Sequence, residues 1–396
     1  MTVNPADALR AANRTLDELV TNTPARRERY VDFLRVFAIG VVVLWHWALS
    51  IHYWSEAQHR WVMPNPIHEV PGGWAATWLL QIVTVFFVVG GYANGAAWWA
   101  AQQGGAGVAS FYRARFQRLL VPVAVFLAVW AVFDLALLLL VPGYTGVLNY
   151  GQILFTPLWF IGAYLWVVLL VPVTATLHER HKWLTLFGLA AVIAAADLGR
   201  FAAGWSELGW VNSALVWVFA HQLGYFFRDG TLDRLGRLGA AGLVVAAVAA
   251  LVGLTELAGY PRSMVATVGQ EYSNILPTTL PIAVVAVLQV GVMLLIRAPV
   301  SRWLRRPRVW KVVVAANAVI LTVFLWHMTA LLAGLATLRG LGVPLRTEPT
   351  LQWWLERPLW VLAPAIVLVI LVAVFGSFEW ASGRWLRRVG RMTRRG

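Results

Sequence analysis

The stretch "DFLRVFAIGVVVLWHW" (32–47) carries Asp32, Arg35 and His46 in a run otherwise apolar enough for lipid. Ionisable groups inside a membrane segment are costly and mark functional sites by default. On an α-helix the eleven steps from Arg35 to His46 rise about 16 Å and turn through about 1100°, close to three full turns. The two side chains therefore share one face, Arg35 at the inner surface and His46 past mid-membrane. Asp32 lies one turn before Arg35 and can pair with it. Ile39, Val42 and Val43 form the stripe between them. A second histidine, His327 in "NAVILTVFLWHMTALL", lies about fifteen residues, or roughly 22 Å, from the inner end of its own segment. That is within one turn of the depth of His46, and each histidine follows a tryptophan, Trp45 and Trp326. A neutral, desolvated imidazole can take a proton from an attacking hydroxyl. The plainer accounts stay open beside this one: Arg35 as a snorkelling anchor, and the histidines as unrelated interhelical polar contacts.

Composition says where such a pair would sit. The 396 residues are 60% hydrophobic and only 13% charged, with a mean hydropathy of +0.68. A soluble domain carries about a quarter charged residues, so the fold class expected is an all-α, polytopic membrane helix bundle. Ten spans are placed near 33–53, 74–100, 119–141, 154–177, 183–199, 210–227, 238–257, 277–296, 312–338 and 358–379. The second and ninth are long enough to tilt or break. A polar tail (1–28), a transmembrane domain (29–380) and a basic tail (381–396) complete the division. The first 25 residues lack the layout of a cleavable signal peptide.

The net charge of +14 is topological rather than a nucleic-acid footprint. Arginines crowd the N-terminal tail, the turns after the second, fourth, sixth and eighth spans, and the C-terminus. The opposite loops mix few arginines with Glu56, Glu69, Glu207, Glu271 and Glu348. By the positive-inside rule both termini are cytoplasmic. There is no cysteine, which excludes disulfides and thiolate chemistry. Lysine is confined to Lys182 and Lys311, and this arginine-rich usage suggests a GC-rich bacterium. No P-loop, G-x-S-x-G elbow or H-E-x-x-H helix is found. His52, His59 and His68 lie in one outer segment; an exposed loop explains them more simply than a metal site, so no metal is expected.

Several segments together resemble the acyltransferase-3 family of integral membrane acyltransferases. "LRVFAIGVVVLWH" is similar to its first-helix signature of an arginine, ten residues and a histidine. "VTVFFVVGGYANGAAW" resembles its second helix, and "FYRARFQRLLVP" its RxxR segment followed by proline. "PLWFIGAYLWVVLLVP" resembles its Leu-Trp-Phe helix and "FLWHM" its late Leu-Trp-His segment. The likeness spans roughly 29–380. It departs at Gly90-Gly91, where the family often has Ser-Gly, so no serine role carries over. With the chain ending soon after the tenth span, no appended esterase-like domain is expected, and acylation would finish within the membrane domain.

The resemblance implies transfer of an acyl group, often acetyl from acyl-CoA, to a hydroxyl of a carbohydrate, glycolipid or glycosylated metabolite. Acyl-CoA is then a co-substrate, with no permanently bound cofactor. Arg115 and Arg118, with Arg35, suit its phosphates. Ordinary anchoring would also place arginines there. His46 is the expected base for direct transfer, and an acyl-histidine is an equally legal use of the ring. His327 would orient the acceptor or stabilise an oxyanion. Tyr92 and Asn94 are candidate donor contacts or core packing. Trp159 is a candidate sugar platform or an interfacial anchor. Asp134 and His221 are cavity or structural groups, and Glu379 is expected to meet a local arginine. The rival is a multi-pass transporter or flippase, marked by internal repeats and paired broken helices. The sequence displays neither. A binding scaffold would show no turnover. The expected setting is the bacterial cytoplasmic membrane; acceptor identity and oligomeric state stay open.

Overall fold

In lipid a chain must satisfy its backbone groups internally, which leaves apolar runs of this length to form helices. The computed structural model describes residues 14, 16–18, 20–24, 27–57, 59–267 and 272–392, so most of the expected N-terminal tail lies outside it. It is a helical bundle. Leaving out one-turn pieces, the helices are α1 (Arg29–Ala48), α2 (Gly73–Leu80), α3 (Val83–Gln103), α4 (Val108–Leu140), α5 (Leu158–Ala202), α6 (Leu208–Arg228), α7 (Gly236–Glu256), α8 (Leu280–Trp303), α9 (Pro307–Ala318), α10 (Ile320–Gly340) and α11 (Leu351–Met392). A small antiparallel hairpin, β1 (Tyr53–Ser55) and β2 (Arg60–Val62), follows α1, with Trp54 opposite Trp61.

Among the described residues, eight helices are long and apolar enough to cross a membrane, where ten spans were expected. The expected fourth and fifth are two helices meeting within the run labelled α5, parted by the non-helical backbone of His181 (φ −138°, ψ 42°). The sixth, α6, carries Asn212, His221 and Gln222 and is not among the eight. It is instead walled in by protein, with Val216–Phe227 buried throughout. The last helix runs past the expected end at 379 to Met392, through most of the segment read as a tail.

Two spans are broken. The second parts at Gln81–Ile82, between α2 and α3; the ninth parts at Val319 (φ −129°, ψ 17°), between α9 and α10. The expectation that paired broken helices are lacking is therefore corrected. Each break frees backbone groups that a buried side chain takes up, as a membrane interior requires. Gln289 of α8 donates its Nε2 hydrogens toward the carbonyls of Trp78, Leu79 and Gln81 at 3.0–3.2 Å. Glu379 of α11 accepts from the Leu321 N–H (3.2 Å), the Thr322 N–H (2.9 Å) and the Thr322 hydroxyl (2.8 Å). The expected arginine is nearby, since Arg118 and Glu379 line the same cavity, and the helix start adds several donors that suit a carboxylate.

Helix α1 packs against α3, α8, α9, α10 and α11, which makes it the central post. Tyr30, fully buried, donates to the Met293 carbonyl of α8 at 2.7 Å. The closest crossing joins α3 to α6. A β-carbon on Gly91 would collide with the His221 carbonyl oxygen, and one on Gly224 with the Val88 carbonyl oxygen. Small residues permit such backbone contact between membrane helices. Gly91→Ala should therefore cost about 1–3 kcal/mol or more by overpacking. A thermal-shift assay in detergent checks this against Gly162→Ala, whose β-carbon would meet nothing and should leave the melting temperature unchanged.

Candidate active site

The last turn of α1 and the middle of α10 meet at the two histidines. His46 Nδ1 lies 2.8 Å from His327 Nε2, with the rings nearly parallel (6°) and their centroids 5.0 Å apart. That centroid separation with that nitrogen contact describes rings bonded edge to edge. His327 is fully buried, and its Nδ1 is 2.5 Å from the Phe324 carbonyl one turn back. A carbonyl only accepts, so His327 Nδ1 carries a proton. A neutral His327 then presents a lone pair at Nε2, and His46 Nδ1–H donates to it. The Nε2 of His46 is left with its lone pair, and no hydrogen bond to it is found among the described residues. Trp47 fixes the pairing by donating its indole N–H to the His327 carbonyl at 3.1 Å.

His46 lines a cavity of about 310 Å³ with Trp45, Ser50, Gln81, Thr156 and Trp159. The cavity also reaches Leu80–Val83, the break between α2 and α3. Trp159 is thus at the site by position. A second, smaller cavity, about 80 Å³, is lined by Arg35, Arg115, Arg118, Tyr164, Glu379 and the start of α10 at Ile320 and Leu321. Each cavity therefore sits at one helix break. Both share the walls Ile39, Phe86, Phe160 and Phe324, so these four side chains form the constriction between them. The phenyl rings interlock: Phe86 to Phe160 at 4.7 Å and Phe160 to Phe324 at 5.1 Å between centroids.

The basic groups of the smaller cavity are individually positioned. Arg35 Nη1 donates to Asp32 Oδ1 and to Asn317 Oδ1, each at 3.4 Å. Asp32 also receives the Arg27 Nε–H at 2.5 Å, and Asn317 is tied to the Asp32 carbonyl at 3.0 Å. Arg115 reaches back to the Ala93 carbonyl at 2.8 Å. Arg115 and Arg118 lie inside α4, about two to three turns into a helix that starts earlier than expected, at Val108.

Other expected residues lie elsewhere. Asp134 lines neither cavity; its Oδ1 accepts from the Tyr144 hydroxyl and the Val147 N–H, both at 2.7 Å, which holds the loop after α4. Tyr92 packs its ring on Phe227, 5.9 Å between centroids, beneath Arg228. Asn94 and His221 are buried and bonded to each other at 3.1 Å. His52, expected in an exposed loop, is buried, and burial with the nearby Arg357 and His46 pushes its ring down to about 3, so it is neutral. No cluster of three metal-ligating side chains occurs among the described residues. The Phe86, Phe160 and Phe324 constriction and Tyr164 went unnoticed in sequence, because a phenylalanine in an apolar span carries no signal of what it faces.

The structure is that of a polytopic membrane protein in which the His46 ring lines one chamber and a cluster of guanidinium groups lines the next. The model of the acyltransferase-3 family, an acyltransferase domain, matches residues 28–391, and the chain belongs to that family. Comparison with curated proteins and with solved structures yields no further match. The protein is thus a multi-pass membrane acyltransferase.

The chain has no native cysteine to interfere with labelling. Single-cysteine variants Thr156→Cys, in the His46 chamber, and Arg118→Cys, in the arginine chamber, should react with a charged thiol reagent from opposite faces of the membrane. Labelling of both from one face would contradict the constriction.

Proposed function

We propose that the protein is an O-acyltransferase that moves an acyl group, acetyl by preference, from cytoplasmic acyl-CoA to a hydroxyl of a carbohydrate, glycolipid or glycosylated metabolite. The observation that carries this reading is the proton-ordered chain from the Phe324 carbonyl through His327 to His46. With both termini cytoplasmic, as the arginine distribution argues, Arg35, Arg115 and Arg118 take the phosphates of the donor at the inner side. Guanidinium forks suit phosphate, and the bonds are charge-assisted. The arm carrying the thioester passes Ile39, Phe86, Phe160 and Phe324. The run from Arg35 to His46 is about 16 Å, a span an extended pantetheine arm can cover.

In the outer chamber His46 Nε2 removes the proton of the acceptor hydroxyl as the oxygen attacks the thioester carbonyl. The C–O bond forms, the C–S bond breaks, and the departing sulfur recovers the proton from His46. During this step the His46 imidazolium keeps its Nδ1–H bond to the neutral His327, which spreads the charge in a dry site. His327 is therefore assigned to orienting and stabilising His46. Trp159 and Trp45 give an acceptor ring apolar faces.

A transporter reading draws on the two broken helices and on chambers that meet at a constriction. Family membership and the unpaired imidazole nitrogen favour the transferase. Purified protein in detergent, where no sides exist, separates the two: an acyltransferase consumes acetyl-CoA in an acceptor-dependent way, and a transporter leaves it intact. In that assay His46→Ala should lower turnover by about 10²–10⁴ while still binding CoA. His327→Ala should lower it less, and Arg115→Ala should raise the KM for acetyl-CoA. Undiminished turnover by His46→Ala would reject the assignment.

A further inference from the structure

Tyr164 of α5 lines the arginine chamber, and its hydroxyl is held from behind. Asn94 Nδ2 is 3.3 Å from the Tyr164 oxygen and 3.1 Å from His221 Nε2. With the amide in this orientation its two hydrogens serve both contacts, its Oδ1 is buried without a partner, and the Tyr164 oxygen is the acceptor. Its own O–H is consequently free of Asn94, and no acceptor for it is found among the described residues. Asn94 is fully buried and His221 nearly so, so the support is rigid. The ring is confined on the other side as well. A β-carbon on Gly90 would sit 2.9 Å from Tyr164 Cε2, and Phe86 packs against the ring edge-on at 5.7 Å between centroids.

The same segment of α3 thus presents two groups to the chamber, Arg115 through the Ala93 carbonyl and Tyr164 through Asn94. A hydroxyl whose oxygen is engaged and whose proton is not, set among guanidinium groups, is built to donate to an anionic oxygen. We infer that the Tyr164 hydroxyl is a donor-binding group that hydrogen-bonds a phosphate oxygen of acyl-CoA, with Asn94 and His221 as its positioning residues and Gly90 as the space that admits the ring. This rests on the donor assignment made above and adds a fourth, uncharged contact to its three arginines.

The test compares wild type, Tyr164→Phe and Gly90→Ala in detergent. It uses two donors, acetyl-CoA and S-acetyl-pantetheine, which lacks every phosphate. Tyr164→Phe should raise the KM for acetyl-CoA roughly tenfold, the loss of one hydrogen bond to a charged group, with kcat little changed. It should behave as wild type toward acetyl-pantetheine. Gly90→Ala should reproduce the effect by displacing the ring. An equal penalty on both donors would make Tyr164 a structural residue and overturn the inference, as would an unchanged KM for acetyl-CoA in a folded Tyr164→Phe protein. Wild type that binds neither CoA nor acetyl-CoA, read by calorimetry, would instead sink the donor assignment and this inference with it. The first two results leave that assignment standing.

Discussion

One hydrogen bond, from His46 Nδ1 to His327 Nε2, organises this site. It joins the first long helix to one that begins nearly three hundred residues later. It also settles which nitrogen of each ring is protonated, because the far end of the chain terminates on a carbonyl that can only accept. Without the Phe324 carbonyl, either histidine could donate to the other. With it, the ordering is imposed from the protein interior outward, and the only lone pair left over belongs to His46 beside the larger cavity.

The two helix breaks do parallel work. A continuous membrane helix presents side chains alone, whereas an interrupted one makes room for a cavity at the cost of freed backbone groups. Here one buried side chain settles each account, Gln289 at the α2–α3 break and Glu379 at the start of α10. Glu379 additionally places a carboxylate on the wall of the arginine chamber. It moderates a cluster of guanidinium groups that would otherwise repel one another in a medium of low polarity. The apolar collar of Ile39 and three phenylalanines then keeps the charged chamber and the histidine chamber apart.

Much of this was legible in the sequence, and the reasons are physical. Helical geometry alone put Arg35 and His46 on one face of α1, and depth counting put His327 beside His46. Charged residues in apolar runs stand out, so Asp32, Arg115 and Arg118 were also found. The excess length of the second and ninth spans left room for a tilt or a break, but not where a break would fall. What escaped were features with no polar contrast or no local signature. His52 looked exposed because it follows the helix end, yet it is buried. Tyr92 and Asp134 each carried a packing alternative beside a site role, and only the neighbours, Phe227 for one and the loop after α4 for the other, distinguish the two.

The claim on which the rest stands is the protonation order of the histidine pair. Solid-state ¹⁵N NMR of protein labelled at histidine, with the two signals assigned through single His46→Gln and His327→Gln variants, reads it directly. The account predicts that at neutral pH both rings are protonated at Nδ1, with His46 Nε2 carrying a free lone pair and His327 Nε2 accepting a hydrogen bond. A His46 ring protonated at Nε2, or a pair with no coupling across the 2.8 Å contact, would contradict it.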